Sequence, residues 1–194
     1  MKHTDSDDLT LVRAFREGDD RAFEEIVRRY QRQVANVVYL TMGGRGEVED
    51  LTQEVFMRVY RSMDRVAVET SLFSWIYRIA TNVCIDELRR RKIRRVLSMD
   101  PTTESSGQHH DVFEEPARTS DALLAREQKD QVLGALAKLT PAHRAALVLR
   151  EYEDMSYREI AASLGISEQA VKSRIFRARE ELKELLKGYF KERL

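Results

Sequence analysis

The sequence predicts an all-α protein: two small helical domains joined by a flexible acidic linker, the C-terminal one containing a helix-turn-helix. Three observations predict this. Only three prolines and eight glycines punctuate 194 residues. Apolar residues recur at threes and fours through most of the chain, the period of a helix with one buried face. Between residues 96 and 120 that period lapses, and Asp100, Glu104, Asp111, Glu114 and Glu115 face a single Arg118 among Pro101, Gly107, Pro116 and several Ser and Thr residues. Such a segment has too little apolar surface to fold alone and reads as a linker. The domains are therefore expected at 1–95 and 121–194.

Leu9, Leu11, Val12 and Phe15 predict a short first helix. Asp19 or Asp20 caps a longer one, in which Phe23, Ile26, Val27, Tyr30, Val34, Val37 and Val38 form a stripe ending near Gly43-Gly44. A third helix starts after Gly46, with Leu51, Val55, Val59 and Met63 at strict intervals of four. Its first turns carry Glu47, Glu49, Asp50 and Glu54, charges that suit the positive end of a helix dipole. Asp50 and Glu54 share a face, but no histidine lies near. A docking surface for a basic partner fits them better than a metal site. Residues 66–70 form a loop, and Thr70 or Ser71 caps a fourth helix. That helix opens on Phe73-Ser74-Trp75-Ile76-Tyr77-Arg78 and runs into 89–95, where six of seven residues are basic. Aromatic side chains that stack on unpaired bases, beside a basic track for phosphates, are how single strands are held. Phe73 and Ile76 read as core, while Trp75 and Tyr77 fit core and surface equally.

Helical spacing resumes from Ala122 to Leu139. Thr140-Pro141 starts the next helix with proline at its first position, and Ala145 to Leu149 make it apolar. Residues 156–179 carry the most specific signal. Ser156 and Glu159 form a capping box, and Met155 and Ile160 flank it as a hydrophobic staple. Gly165 ends that helix, where glycine takes the left-handed conformation at little cost. Ser167 caps a second helix, with Ile166 and Val171 as its staple. Ala161 is small enough for the second helix to cross close over the first. This is a helix-turn-helix, whose second helix enters the major groove. Val171, Ile175, Ala178 and Leu182 form the apolar stripe of that helix, leaving Gln169, Lys172, Ser173, Phe176 and Arg177 on other faces. Lys172, Arg174, Arg177 and Arg179 supply phosphate affinity, and forked or amide donors can read base edges. The amphipathic pattern continues from Glu180 to Leu194.

The formal net charge is zero, so nucleic-acid affinity must come from local patches. A single cysteine, Cys84, excludes an internal disulfide framework and suits a reducing cytosol; a small buried apolar role is expected for it. Met1 to Asp8 is polar and acidic and predicts no signal peptide. No apolar run of about 18 residues predicts a membrane span. His109-His110 beside Glu114-Glu115 is too weak a pattern for a metal site, and no cofactor is predicted. No nucleophile–base pair or phosphate-binding glycine loop is found, so no enzymatic activity is expected.

Three stretches taken in order resemble one family. They are Asp50-Leu51-Thr52-Gln53-Glu54-Val55-Phe56-Met57-Arg58-Val59-Tyr60, Trp75-Ile76-Tyr77-Arg78-Ile79-Ala80-Thr81-Asn82, and Met155 to Arg179. Together they are similar to a bacterial sigma factor of the extracytoplasmic-function type, the small two-domain branch of the sigma-70 family. The resemblance covers about residues 7–95 and 121–188. It implies an alternative initiation factor that binds core RNA polymerase through the β and β′ subunits and directs it to promoter DNA, with an anti-sigma factor as a further partner. Asp50, Gln53, Glu54 and Met57 would then dock on the polymerase. Trp75, Tyr77, Arg78, Asn82, Asp86, Arg89, Arg90 and Arg91 would capture and melt the −10 element. Gln169, Lys172, Ser173, Phe176 and Arg177 would contact the −35 element. Relatives often carry an aromatic residue and Arg-Gly-Asp where this chain has Val66-Ala67-Val68-Glu69, a departure in the loop that helps select the unpaired −10 base. Two other classes compete. A stand-alone helix-turn-helix regulator would not need the Trp75 region, and a metal-dependent nuclease would use Glu47, Glu49, Asp50 and Glu54.

Fully extended, residues 96–120 span roughly 80–90 Å. Promoters of this family separate their two elements by somewhat under two turns of duplex, about 55 Å. The linker therefore has slack and cannot be the ruler. Removing three or four residues between Thr102 and Gln108 should leave promoter choice nearly intact in run-off transcription. Inserting about five base pairs between the promoter elements should abolish initiation, because half a turn puts one element on the wrong face. A shift of the preferred spacer on shortening the linker would contradict this.

Overall fold

Helix boundaries fall where a side chain or a left-handed residue can replace a missing backbone partner. A computed structural model describes residues 5–44, 47–66, 71–97 and 120–191. Among the described residues are eight α-helices, one 3-10 turn and no strand. Helix α1 spans Asp5–Arg16 and α2 Asp20–Thr41. The Asp19 carboxylate caps α2 by accepting from the Arg21 amide at 3.0 Å. After Thr41 the chain turns through Gly43 and Gly44, both with positive φ. Helix α3 (Val48–Ser62) runs into the 3-10 turn Met63–Arg65, and α4 spans Leu72–Leu97. Helices α5 (Ser120–Lys138), α6 (Pro141–Glu151), α7 (Tyr157–Leu164) and α8 (Glu168–Lys191) form the C-terminal half. Thr140 caps α6 by accepting from the His143 amide at 3.3 Å.

Val96, Leu97 and Ser120, expected in the linker, are helical. Nothing in Arg94-Arg95-Val96-Leu97 breaks a helix. The remaining linker at 98–119, with His109-His110, lies outside the described residues, as do Arg45-Gly46 and Ala67 to Thr70.

The first core packs α1 to α4 together. Ile26, Tyr30, Val34 and Val38 of α2 meet Val55 and Val59 of α3, Met63, and Ile76, Ala80, Val83 and Cys84 of α4. Cys84 is fully buried, and burial pushes its thiol up to about 12, so it acts as the small apolar residue expected. Asp8 is buried beneath α2, accepting from the Tyr30 hydroxyl at 2.5 Å and from Arg29 Nη1 at 3.4 Å. Arg16 of α1 donates to the carbonyls of Met63, Asp64 and Val66 and so fastens the 3-10 turn.

The second core is not confined to the C-terminal half. Leu133, Leu136, Leu139, Leu147, Val148, Leu149, Met155, Ile160, Val171, Ile175 and Ala178 pack with Val37 and Leu40 of α2 and Tyr77 of α4. The two domains therefore share a seam, which the sequence stripes do not reveal. Helix α4 is apolar on two sides: Ile76 and Ala80 enter the first core, Tyr77 the second, and Phe73 packs against both. A helix buried on two sides shows no single stripe.

Arg144 fastens the seam. It is 3% exposed, and burial lowers its pKa to about 10. Its guanidinium donates to the carbonyls of Ala137 at 2.7 Å and Leu139 at 3.0 Å, where α5 ends, and to Thr41 at 2.7 Å, where α2 ends. Arg144→Met keeps the length but leaves those carbonyls without a donor. A stability loss of about 3 kcal/mol is expected in urea unfolding. A loss below about 0.5 kcal/mol would show that the three bonds add little.

Candidate nucleic-acid interface

The helix-turn-helix forms as its caps dictate. Ser156 Oγ accepts from the Glu159 amide at 3.2 Å, and Glu159 Oε2 accepts from the Ser156 amide at 2.7 Å. Gly165 takes φ 64° and ψ 38°, and its amide bonds back to the Ala161 carbonyl. Ser167 Oγ then accepts from the Ala170 amide at 3.2 Å to start α8. Val171, Ile175 and Ala178 are buried against α6 and α7. Gln169, Lys172, Ser173, Phe176 and Arg177 are all exposed, Phe176 at 66%. The helix is held in place by polar contacts at its flanks. Arg179 pairs with Glu151 of α6 at 2.5 Å, His143 Nδ1 lies 3.1 Å from Glu181, and the Lys172 ammonium sits 5.8 Å from the centre of the Tyr157 ring. An aromatic ring left this exposed adds little to the fold. Between basic side chains in a major groove it can meet the methyl group of thymine.

On α4, Arg78, Asn82, Arg89 and Arg90 are exposed, while Trp75, Asp86 and Arg91 are half-buried. Tyr77 is fully buried and does not share their surface. Its hydroxyl donates to Glu153 at 2.6 Å, its ring stands edge-on to Phe73 at 4.4 Å, and burial pushes its pKa up. Asp86 lies 3.8 Å from Arg58 of α3. Glu87 draws in Arg91 at 2.8 Å, Arg94 at 2.9 Å and Arg90 at 3.8 Å. The basic track is thus partly neutralised from within its own helix, by a residue the count of basic residues passed over.

A groove of about 580 Å³ lies between α2 and α3. Phe23, Val27, Phe56, Met57 and Tyr60 line it, with Gln31, Thr52, Gln53 and Arg61 at its polar edges. Of the residues expected to dock, Asp50, Gln53 and Met57 are exposed. Glu54 is half-buried and holds Arg58 Nε at 2.7 Å. The sequence pattern places Phe23 in a core stripe and Tyr60 in the Asp50–Tyr60 stretch without a docking role of its own. The two rings meet edge-on at 5.0 Å and form the groove's end. Tyr60 stands off the Val55–Val59 stripe, three residues from Met57 on the same face. Among the described residues no group of three His, Cys, Asp or Glu is placed to hold a metal ion, and no helix is long and apolar enough to cross a membrane.

A helix-turn-helix joined to an aromatic and basic helical domain defines a DNA-binding factor of two parts. Comparison with known proteins gives the same division. Residues 26–94 match the family model Sigma-70 region 2, and residues 129–182 match Sigma-70, region 4. The chain is 34% identical to the ECF RNA polymerase sigma-E factor of Escherichia coli strain K12, over 90% of this chain and 92% of that protein. It is 30% identical to the ECF RNA polymerase sigma factor SigW of Bacillus subtilis strain 168, over 91% and 95%. Among solved structures it is similar to CnrH in complex with the cytosolic domain of CnrY, with a TM-score of 0.68, 27% identity and coverage of 94% and 98%. It is also similar to the sigma factor RpoE in complex with the anti-sigma factor NepR from Bartonella quintana, with a TM-score of 0.66, 25% identity and coverage of 85% and 96%. The chain belongs to the extracytoplasmic-function sigma factors of the sigma-70 family. It is an alternative sigma factor, a transcription initiation factor and not an enzyme.

The turn of the motif gives a direct test. A Cβ added at Gly165 meets nothing within 4 Å, so Gly165→Ala costs only the left-handed backbone, about 1 kcal/mol. Gly165→Val should cost more, because a β-branched residue resists positive φ. Ala161→Leu should lose about 1–3 kcal/mol by overpacking under α8. Urea unfolding of the full chain measures all three, and a neutral Gly165→Val would contradict the turn geometry.

Proposed function

We propose that the three surfaces divide the work of initiation. The α2–α3 groove, with Asp50, Gln53 and Met57 on its rim, seats core RNA polymerase. Trp75, Arg78, Asn82 and the arginines of α4 hold the separated strand of the −10 element. Gln169, Lys172, Ser173, Phe176 and Arg177 read the −35 duplex. The observation that carries this reading is the separation of roles in space. All five −35 candidates are exposed on one helix, and the groove lies on two others. An apolar groove with an acidic rim suits a basic, amphipathic helical partner, with Met57 as an adaptable contact. Glu54 contributes less than expected, because Arg58 already neutralises it. The similar structures hold anti-sigma partners or a partner's cytosolic domain, and an anti-sigma partner acting in the cytoplasm is proposed here too.

Two double variants should fail in complementary ways. Asp50→Lys with Met57→Ala should lower affinity for core polymerase about tenfold in a native-gel titration, with helicity by circular dichroism unchanged. Lys172→Ala with Arg177→Ala should bind core as the wild type does. It should lose the equivalent of about 1–3 kcal/mol of −35-dependent transcription if Arg177 makes a bidentate base contact. Loss of core binding in the second pair, or unchanged core binding in the first, would overturn the division.

A further inference from the structure

The recognition helix holds two of its cations in different ways. At the end of α6, Glu151 pairs with Arg179 of α8 at 2.5 Å. Its neighbour Arg150 is used otherwise. Arg150 Nη1 donates to the Met155 carbonyl at 2.8 Å, and its guanidinium lies over the Tyr157 ring, 5.4 Å from the centre. The Lys172 ammonium of α8 lies over the same ring at 5.8 Å. Among the described residues neither Arg150 nor Lys172 has a carboxylate within ion-pair distance. Tyr157 is the first residue of α7, set directly after the Ser156 cap, and its half-buried side chain packs against the second core. The ring is thus fixed by the capping box and the core, and two unneutralised cations share it.

The difference matters for a helix that must bind phosphates. A carboxylate positions a cation by cancelling its charge, as Glu151 does for Arg179 and Glu87 does for the arginines of α4. An aromatic face attracts a cation through its quadrupole and carries no net charge. Lys172 is therefore held and still fully charged. Its ammonium has three donors on a flexible stem, and a ring on one side of it leaves donors for an acceptor. Ordering such a stem at the moment of binding weakens association, and a stem ordered beforehand avoids that loss. Arg150, tied to the Met155 carbonyl, helps to fix the ring in turn.

We propose that Tyr157, braced by Arg150, is a positioning residue for reading the −35 element: its ring keeps Lys172 ordered for a phosphate of the duplex without neutralising it. This rests on the assignment of Lys172 to the −35 surface made above. Tyr157 lies outside the five residues given that role, and the sequence pattern marks it only as the residue after the Ser156 cap. Removing the ring disorders the lysine but leaves its charge. Removing the lysine takes away the phosphate contact itself.

The test uses holoenzyme formed with the full chain and a promoter duplex carrying the −35 element, with affinity measured by fluorescence anisotropy over a range of salt. Tyr157→Phe keeps the ring and should bind as the wild type does. Progressively fluorinated phenylalanines in place of Tyr157 keep the shape of the ring while draining its quadrupole. Affinity should fall stepwise along that series, to about twofold to fivefold below the wild type at full fluorination. Tyr157→Leu should fall as far. The slope of log affinity against log salt should not change in any of these, because Lys172 still reaches its phosphate. Lys172→Ala should lower that slope by about one, and in its background the fluorinated series should be flat. A stepwise loss that persists without Lys172 would make the ring a purely structural residue and overturn the proposal. If Lys172→Ala changes neither affinity nor slope, the assignment of Lys172 to the −35 surface falls and the proposal with it. If Lys172→Ala weakens binding and the ring series is flat, only the proposal falls.

Discussion

Everything in this molecule is hung on α4, a single helix that serves as a wall for two hydrophobic cores. Ile76, Ala80, Val83 and Cys84 face α2 and α3, and Tyr77 faces α6 and α7. A helix buried on two sides has little surface left over, and what is left of α4 is the strip that carries Arg78, Asn82, Arg89 and Arg90. In the division of surfaces proposed above, that strip is the one that holds a separated strand. Packing and the proposed binding role thus draw on the same helix, and Tyr77 is given over to packing.

The charges at the working surfaces are arranged to position rather than to stabilise. Ion pairs near the surface, such as those of the half-buried Glu87 with its arginines, contribute on the order of 1 kcal/mol each. They fix the arginine stems along α4 and keep the patch from repelling itself. Arg179–Glu151 and His143–Glu181 do the same for α8, holding the recognition helix at its flanks while the face with Lys172, Phe176 and Arg177 is left for a ligand. Stability comes from elsewhere, from the apolar clusters and from the buried bonds of Asp8 and Arg144, where desolvation makes each partner matter more.

The features legible in the sequence are those whose partners lie within a few residues. The Ser156–Glu159 box, the Gly165 turn and the Thr140-Pro141 start are local hydrogen-bond problems with few solutions, and the chain adopts the expected ones. The long stripe of α2 is equally plain, because its period repeats over many turns. The seam was hidden for the opposite reason. Tyr77 and Glu153 are 76 residues apart and Thr41 and Arg144 are 103 apart, and no local pattern links them. The Phe23–Tyr60 groove was hidden because it is built by two helices whose residues look like core on one and surface on the other. The basic run of 89–95 is legible as charge, while its pairing with Glu87, just before it, is not.

The most direct test of the shared-wall account is hydroxyl-radical footprinting of Tyr77, followed by mass spectrometry, in the wild-type chain and in an Arg144→Met chain. The account predicts protection of Tyr77 in the wild type, where it packs in the second core, and faster oxidation in the variant, where the bonds from α6 to the ends of α2 and α5 are lost. A Tyr77 that is readily oxidised in the wild type, or oxidised no faster in the variant, would contradict it.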